Sequence, residues 1–282
     1  MLAYRHAFHA GNHADVLKHL VLATALAHMN LKDKGYRVVD THAGAGGYPL
    51  RSEQANKHGE YRDGIGRLWG REDLPAGLAD YVALVRRFND SGRLSYYPGS
   101  PALAHALLRP QDQLRLFELH PTDFQTLSRA FSGQPTVEVT PADGFASLKS
   151  LLPPPTRRGL VLIDPSYEIK TDYVRVLAAV REIMERFAEA VTLVWIPQLQ
   201  LLEAAQLPQR LQSAAAPARK GWLHARLTVR RAGEHGLGLL GSHMFVTNPP
   251  HTLAPMLREC LPWLAQTLGQ DDAAGWELKT SP

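Results

Sequence analysis

Short apolar runs punctuate the chain, and most of them stop abruptly on an acid or a glycine turn. They cover Tyr36 to Thr41, Gln113 to Leu119, Thr136 to Thr140, Leu160 to Ile163, Val191 to Ile196, Leu223 to Arg230 and Met244 to Thr247. Each has the length of a buried strand. Between them, apolar residues recur at spacings of three and four, the period of a helix packed on one face. From an Asn12 cap, Val16, Leu20, Ala23 and Ala27 form one such stripe; Leu78, Val82, Val85 and Phe88 form another. Further helices are predicted over Thr122 to Phe131 and from Asp172 to about Ala188. Alternating strands and helices predict an α/β fold with a mostly parallel, doubly wound sheet. The runs at Leu223 and Met244, joined by a glycine-rich segment, predict an antiparallel closing pair, and residues after about 268 read as a loose tail.

The strand ends carry the candidate chemistry. Asp40 closes the first strand and is followed by His42-Ala43-Gly44-Ala45-Gly46-Gly47, where small residues let a ligand approach the backbone closely. Counted from Gly44, the third glycine of the dinucleotide fingerprint falls on Pro49, which weakens a nicotinamide-cofactor reading. An acid closing the second strand is expected ~20 residues further on, to accept from a ribose diol. None is well placed there, and the next convincing strand ends at Glu118. Residues 50–97 therefore read as a small helical insertion, with 1–49 (arm, first helix and first strand) before it and 98–282 completing the main domain. The insertion holds Arg67, Arg71, Arg86, Arg87 and Arg93. Tyr97-Pro98-Gly99-Ser100-Pro101 forms a turn into a helix, with Ser100 as its cap. The third strand leads to Asp143-Gly144, a turn that can bind an adenine edge or simply cap a helix.

The fourth strand delivers Asp164-Pro165-Ser166-Tyr167. Pro165 forces the chain out of the sheet, so a carboxylate and an aromatic ring sit three residues apart at the crevice. That pairing suits a planar substrate with an exocyclic amine: the ring stacks on Tyr167 while Asp164 and the Pro165 carbonyl accept the amine hydrogens. Asn248-Pro249-Pro250-His251 is a second, weaker candidate because its strand arrives too late in the sheet.

The amino-terminal arm combines Tyr4, Arg5, His6, His9, His13, Lys18 and His19, suited to lie over a nucleic-acid site. His9 and His13 have metal-ligand spacing, but Gly11-Asn12 breaks the helical turn it needs, and no metal is expected. The net charge of +4 fits an RNA partner without requiring one. Cys260 is the lone cysteine, which excludes an internal disulfide. No apolar run approaches the ~20 residues of a membrane span and no signal core is visible, so a cytoplasmic protein is expected.

Taken together, these motifs resemble the bacterial 23S ribosomal RNA adenine-N6-methyltransferase J family, over most of the chain. The resemblance rests on YRHAFHAGNHADVLKH (Tyr4 to His19), DTHAGAG (Asp40 to Gly46), GEY (Gly59 to Tyr61), YPGSP (Tyr97 to Pro101), ELHP (Glu118 to Pro121), ADGF (Ala142 to Phe145) and DPSYE (Asp164 to Glu168). It implies a Rossmann-like class I methyltransferase that uses S-adenosylmethionine to methylate N6 of an adenosine in large-subunit ribosomal RNA; separately, a monomer is expected rather than an obligate oligomer. It further implies that His19, His42, Ser100, Glu118, Asp143, Gly144 and Asp164 contact the cofactor, joined by Gly44 from the first turn. Tyr4, His6 and Lys18 would face the RNA adenine or its flanking phosphates. The departure is Ser166, where amino-methyltransferases usually carry a second proline. A DNA adenine methyltransferase, a nucleotide-dependent oxidoreductase and a noncatalytic RNA-binding module remain rival readings of the same residues.

Overall fold

A computed structural model describes residues 6–233 and 238–281. Helix α1 (His13–Met29) begins where Asn12 caps it, its side chain accepting from the Ala14 and Asp15 amides at 3.0 Å. Strand β1 (Arg37–Asp40) follows. A short antiparallel ribbon, β2 (Gly47–Pro49) with β3 (Tyr96–Pro98), then brackets the helices α2 (Glu53–His58), α3 (Ile65–Trp69) and α4 (Ala76–Arg86). The intervening segment thus leaves and rejoins the chain at adjacent points. The main unit continues as α5 (Ser100–Leu107), β4 (Gln113–Phe117), α6 (Pro121–Ala130), β5 (Val137–Thr140), α7 (Gly144–Leu151), β6 (Gly159–Ile163), α8 (Thr171–Arg186) and β7 (Val191–Gln198). It closes with α9 (Leu202–Ala214), β8 (Trp222–Thr228), β9 (Gly241–Thr247), α10 (Leu253–Leu268) and β10 (Gly275–Thr280).

The strands form one sheet in the order β10-β8-β9-β7-β6-β1-β4-β5. β5, β4, β1, β6 and β7 are parallel, β9 runs antiparallel beside β7, and β8 and β10 extend the antiparallel edge. This is the doubly wound α/β architecture that the strand and helix pattern predicts. Alternation along each strand divides the apolar residues between two layers. On β6, Leu160 and Leu162 face the core shared with α1, α4, α5 and α10, while Val161 and Ile163 face the one shared with α7, α8 and α9. β6 is buried throughout, which is why it reads as an unbroken apolar run. Among the described residues no helix is long and apolar enough to cross a membrane.

Several sequence-based expectations change. Helix α1 is not a one-sided amphipathic helix: every residue from His13 to Leu22 is buried, whereas Ala27 is exposed. It runs between the sheet (β7, β9) and the helices α4, α5 and α10, so most of its circumference is covered. The tail after 268 is not loose, because Gly275 to Thr280 pair antiparallel with β8 and form the sheet edge. Ser100 is not the cap of α5; Gly99 holds that position and the Ser100 hydroxyl donates to Asp40 instead, at 2.6 Å. Asn248 holds the Ala188 and Ala190 carbonyls just before β7. β9 runs against β7, so its last residues lie at the amino edge of the parallel strands, away from the crevice.

Candidate active site

Asp143, Glu118, Asp40 and Asp164 terminate or follow β5, β4, β1 and β6, four neighbouring strands, and so stand along one carboxyl edge of the sheet. Parallel register fixes this arrangement: Asp40 pairs with Leu116 on one side and Leu162 on the other. A cleft opens above that edge. His19, His42, Gly44, Ser100, Glu118, Asp143, Gly144 and Asp164 all line it, together with His6, Lys18 and Pro165. Tyr4 lies outside the described residues.

Asp164 sits where buried β6 meets the cleft. Its Oδ2 accepts from the Lys18 ammonium at 2.6 Å, and Lys18 also pairs with Asp15 Oδ1 at 2.8 Å. Burial opposes a charge on Lys18, yet Asp15 and Asp164 outweigh it and hold the ammonium well above its ordinary pKa. Asp15 is 1% exposed; burial opposes its charge too, but His6 and Lys18 keep its carboxyl well below the usual range. Asp15 also accepts from the Gly11 amide at 2.8 Å and lies 2.8 Å from His6 Nε2. One buried carboxylate therefore ties the arm, through Lys18, to the turn that follows β6. Lys18, expected to face the RNA adenine or its flanking phosphates, lines this cleft and a second one beside it, and its buried side chain is paired with two carboxylates, so it braces Asp164.

Tyr167 also departs from expectation. It adopts φ +55°, lies 5% exposed in the core against Tyr173 and Trp195, and donates its hydroxyl to the Trp195 carbonyl at 2.6 Å. Packed in this way, it anchors the turn that presents Asp164 and Pro165. Ser166 lines both clefts.

The cofactor side is built from anchored polar groups. Glu118 accepts from the Gly44 amide at 2.8 Å and the His120 amide at 2.6 Å, and burial raises its pKa. Gly44 holds φ +61°, and a Cβ there would lie 2.4 Å from the Tyr48 hydroxyl, so the turn needs glycine. Burial lowers His19 and His42 to about 3, so both are neutral near pH 7. His19 Nδ1 lies 2.7 Å from the Tyr97 hydroxyl, while its buried Nε2 has no hydrogen-bond partner among the described residues. An unpartnered imidazole nitrogen beside a fixed carboxylate fits the polar ends and ribose diol of S-adenosylmethionine. Asp143 caps α7, accepting from Phe145 at 2.9 Å, and its other oxygen meets Arg175, whose guanidinium lies over the Phe145 ring at 4.6 Å. Gly144 lets α7 close on β1, since a Cβ there would fall 2.2 Å from the Thr41 carbonyl oxygen.

Sequence reasoning missed Asp15, Arg175 and Trp195. Asp15 carried a signal, standing three residues before Lys18 on a capped helix, a spacing that brings side chains together. Arg175 and Trp195 belong to segments that read as ordinary helix and strand. Among the described residues no group of three or more His, Cys, Asp or Glu is arranged to hold a metal ion.

Comparison with known proteins agrees with this geometry. The family model described as "Ribosomal RNA large subunit methyltransferase D, RlmJ" matches residues 33–280. Ribosomal RNA large subunit methyltransferase J of Escherichia coli K12 is 46% identical over 268 residues, covering 95% of this chain and 94% of that protein. The Haemophilus influenzae protein of the same name is 44% identical over 280 residues, covering 99% and 98%. The crystal structure of protein LPL1258 from Legionella pneumophila superposes with a TM-score of 0.88 at 32% identity, covering 97% of this chain and 98% of that one. Carboxyl-edge cleft, cofactor-side residues and near full-length likeness converge on one conclusion: the chain belongs to the RlmJ family of ribosomal RNA large subunit methyltransferases.

Proposed function

We propose that this protein methylates N6 of an adenosine in large-subunit ribosomal RNA, using S-adenosylmethionine, in the cytoplasm. The observation that carries the reading is Asp164 at the end of a fully buried strand, with Oδ2 tied to Lys18 and the side chain open to the cofactor cleft. His19, His42, Gly44, Ser100, Glu118, Asp143 and Gly144 would hold the cofactor. When bound there, S-adenosylmethionine supplies an electrophilic methyl group.

The chain's own residues orient the acceptor nitrogen. With Oδ2 committed to Lys18, Asp164 has Oδ1 left to accept one amine hydrogen, and the Pro165 carbonyl accepts the other. These two acceptors direct the nitrogen lone pair at the methyl, so positioning supplies most of the acceleration. As positive charge develops on nitrogen, the carboxylate stabilises it. Lys18 restrains Asp164 as an orienting acceptor, and no covalent enzyme intermediate is required.

The test is Asp164→Ala. Methylation of ribosomal RNA should fall by at least about 10²-fold, the scale of losing a positioned catalytic group, while cofactor binding remains measurable by calorimetry. Near-normal turnover in the variant would overturn the assignment.

A further inference from the structure

A second cleft lies across Asp164 from the first. Lys18, Asp164 and Ser166 line both, whereas His13, Trp195, Pro197 and Arg230 belong to the second alone. Two polar atoms buried in its wall have no hydrogen-bond partner among the described residues: the Trp195 indole Nε1 and His13 Nδ1. His13 is 6% exposed, and burial lowers it to about 4, so it stands neutral near pH 7.

Trp195 is held firmly. It lies within β7, its carbonyl accepts from Tyr167, and the Lys18 ammonium sits 6.0 Å from its ring centroid. An indole N–H can only donate, and buried donors in folded proteins are nearly always satisfied by protein, water or ligand. Asp164 lines this cleft as well, so the cavity brings an acceptor and the Trp195 donor to the same wall. Adenine presents the complement: an exocyclic amine that donates, flanked by ring nitrogens that only accept. Guanine places a ring N–H and a carbonyl oxygen along the matching edge and would oppose donor to donor and acceptor to acceptor.

We propose that Trp195 is a base-recognition residue, its indole N–H donating to a ring nitrogen of the target adenine whose amine is held at Asp164. The inference rests on the function proposed above. His13 completes the polar wall of the same cleft.

The experiment uses the full-length protein with an RNA substrate whose target is adenosine or its 1-deaza, 3-deaza or 7-deaza analogue. Single-turnover methylation is measured for the unaltered protein and for Trp195→Phe, with cofactor affinity and melting temperature recorded alongside. Trp195→Phe keeps a ring and removes the N–H, so adenosine methylation should fall about 10- to 100-fold while cofactor affinity stays within about twofold. The unaltered protein should lose a similar factor on one deaza analogue only, and Trp195→Phe should lose nothing further on that analogue. Equal methylation of all analogues by the unaltered protein, or independent and multiplicative losses, would overturn the assignment of Trp195. Failure of the unaltered protein to methylate adenosine would instead overturn the function on which it rests.

Discussion

At the residue scale the decisive contact is the buried chain of charge from Asp15 through Lys18 to Asp164. Removing the middle member leaves two carboxylates facing each other, one of them 1% exposed. Lys18→Met should therefore destabilise the fold by about 3–5 kcal/mol, the scale for breaking a buried pair by deleting one partner. Urea denaturation checks this, and a loss below about 1 kcal/mol would contradict it. Because Lys18 is already neutralised inside the protein, the same substitution should leave the salt dependence of RNA binding unchanged. A phosphate-gripping lysine would instead take about one unit from the slope of log K against log salt. Asp164 was legible in the sequence because an apolar run ending in Asp-Pro delivers a carboxylate to a strand end. The burial of Lys18 and Tyr167 was not, because direction depends on what covers α1 and the turn after β6. Trp195 was equally silent, since its significance lies in an indole nitrogen left unpaired by the surrounding fold.

At the scale of elements, the main strands and their order were readable because buried parallel strands are written as continuous apolar runs. β10 was not readable. Its residues Gly275 to Thr280 are half-buried or exposed, and the neighbouring edge of β8 gives them their strand partner. Deleting residues 275–282 should uncover that edge, lower the melting temperature and promote association through unpaired strand groups. A loose tail could be removed without effect, so unchanged melting and a monodisperse sedimentation profile would refute the pairing. Similarly, Gly144→Ala would drive a methyl group into the Thr41 carbonyl and push α7 away from β1. A cost of about 1–3 kcal/mol is expected from overpacking, with weakened cofactor binding because Gly144 lines the cleft. Stability and affinity both unchanged would show that the contact tolerates a side chain.

Across the whole molecule, acid should act through histidines buried in neutral form. Burial lowers His13 and His224 to about 4, and His19, His42 and His243 to about 3, from an ordinary 6.5. Below pH 6.5 the unfolded chain takes up protons that the native protein refuses, so stability falls as pH drops toward 4. Each group contributes roughly 1 kcal/mol per pH unit in that window. Asp40, raised to about 6 by burial, Glu118 and Asp172, also raised by burial, and His9, raised chiefly by its hydrogen bond to Glu60, work in the opposite direction. The five large downward shifts outweigh these four, and urea midpoints measured from pH 7.5 to 4.5 should fall steadily; a flat or rising trend would contradict the assignment. On the proposed reading, the cleft along the sheet edge, the second cleft beside it and the buried brace between them serve one reaction on one nitrogen. The most direct measurement incubates the purified protein and labelled S-adenosylmethionine with separated large-subunit RNA, small-subunit RNA and DNA, and then identifies the labelled nucleoside. The account predicts N6-methyladenosine confined to large-subunit RNA; label on another nucleoside, on DNA, or on none of the three would contradict it.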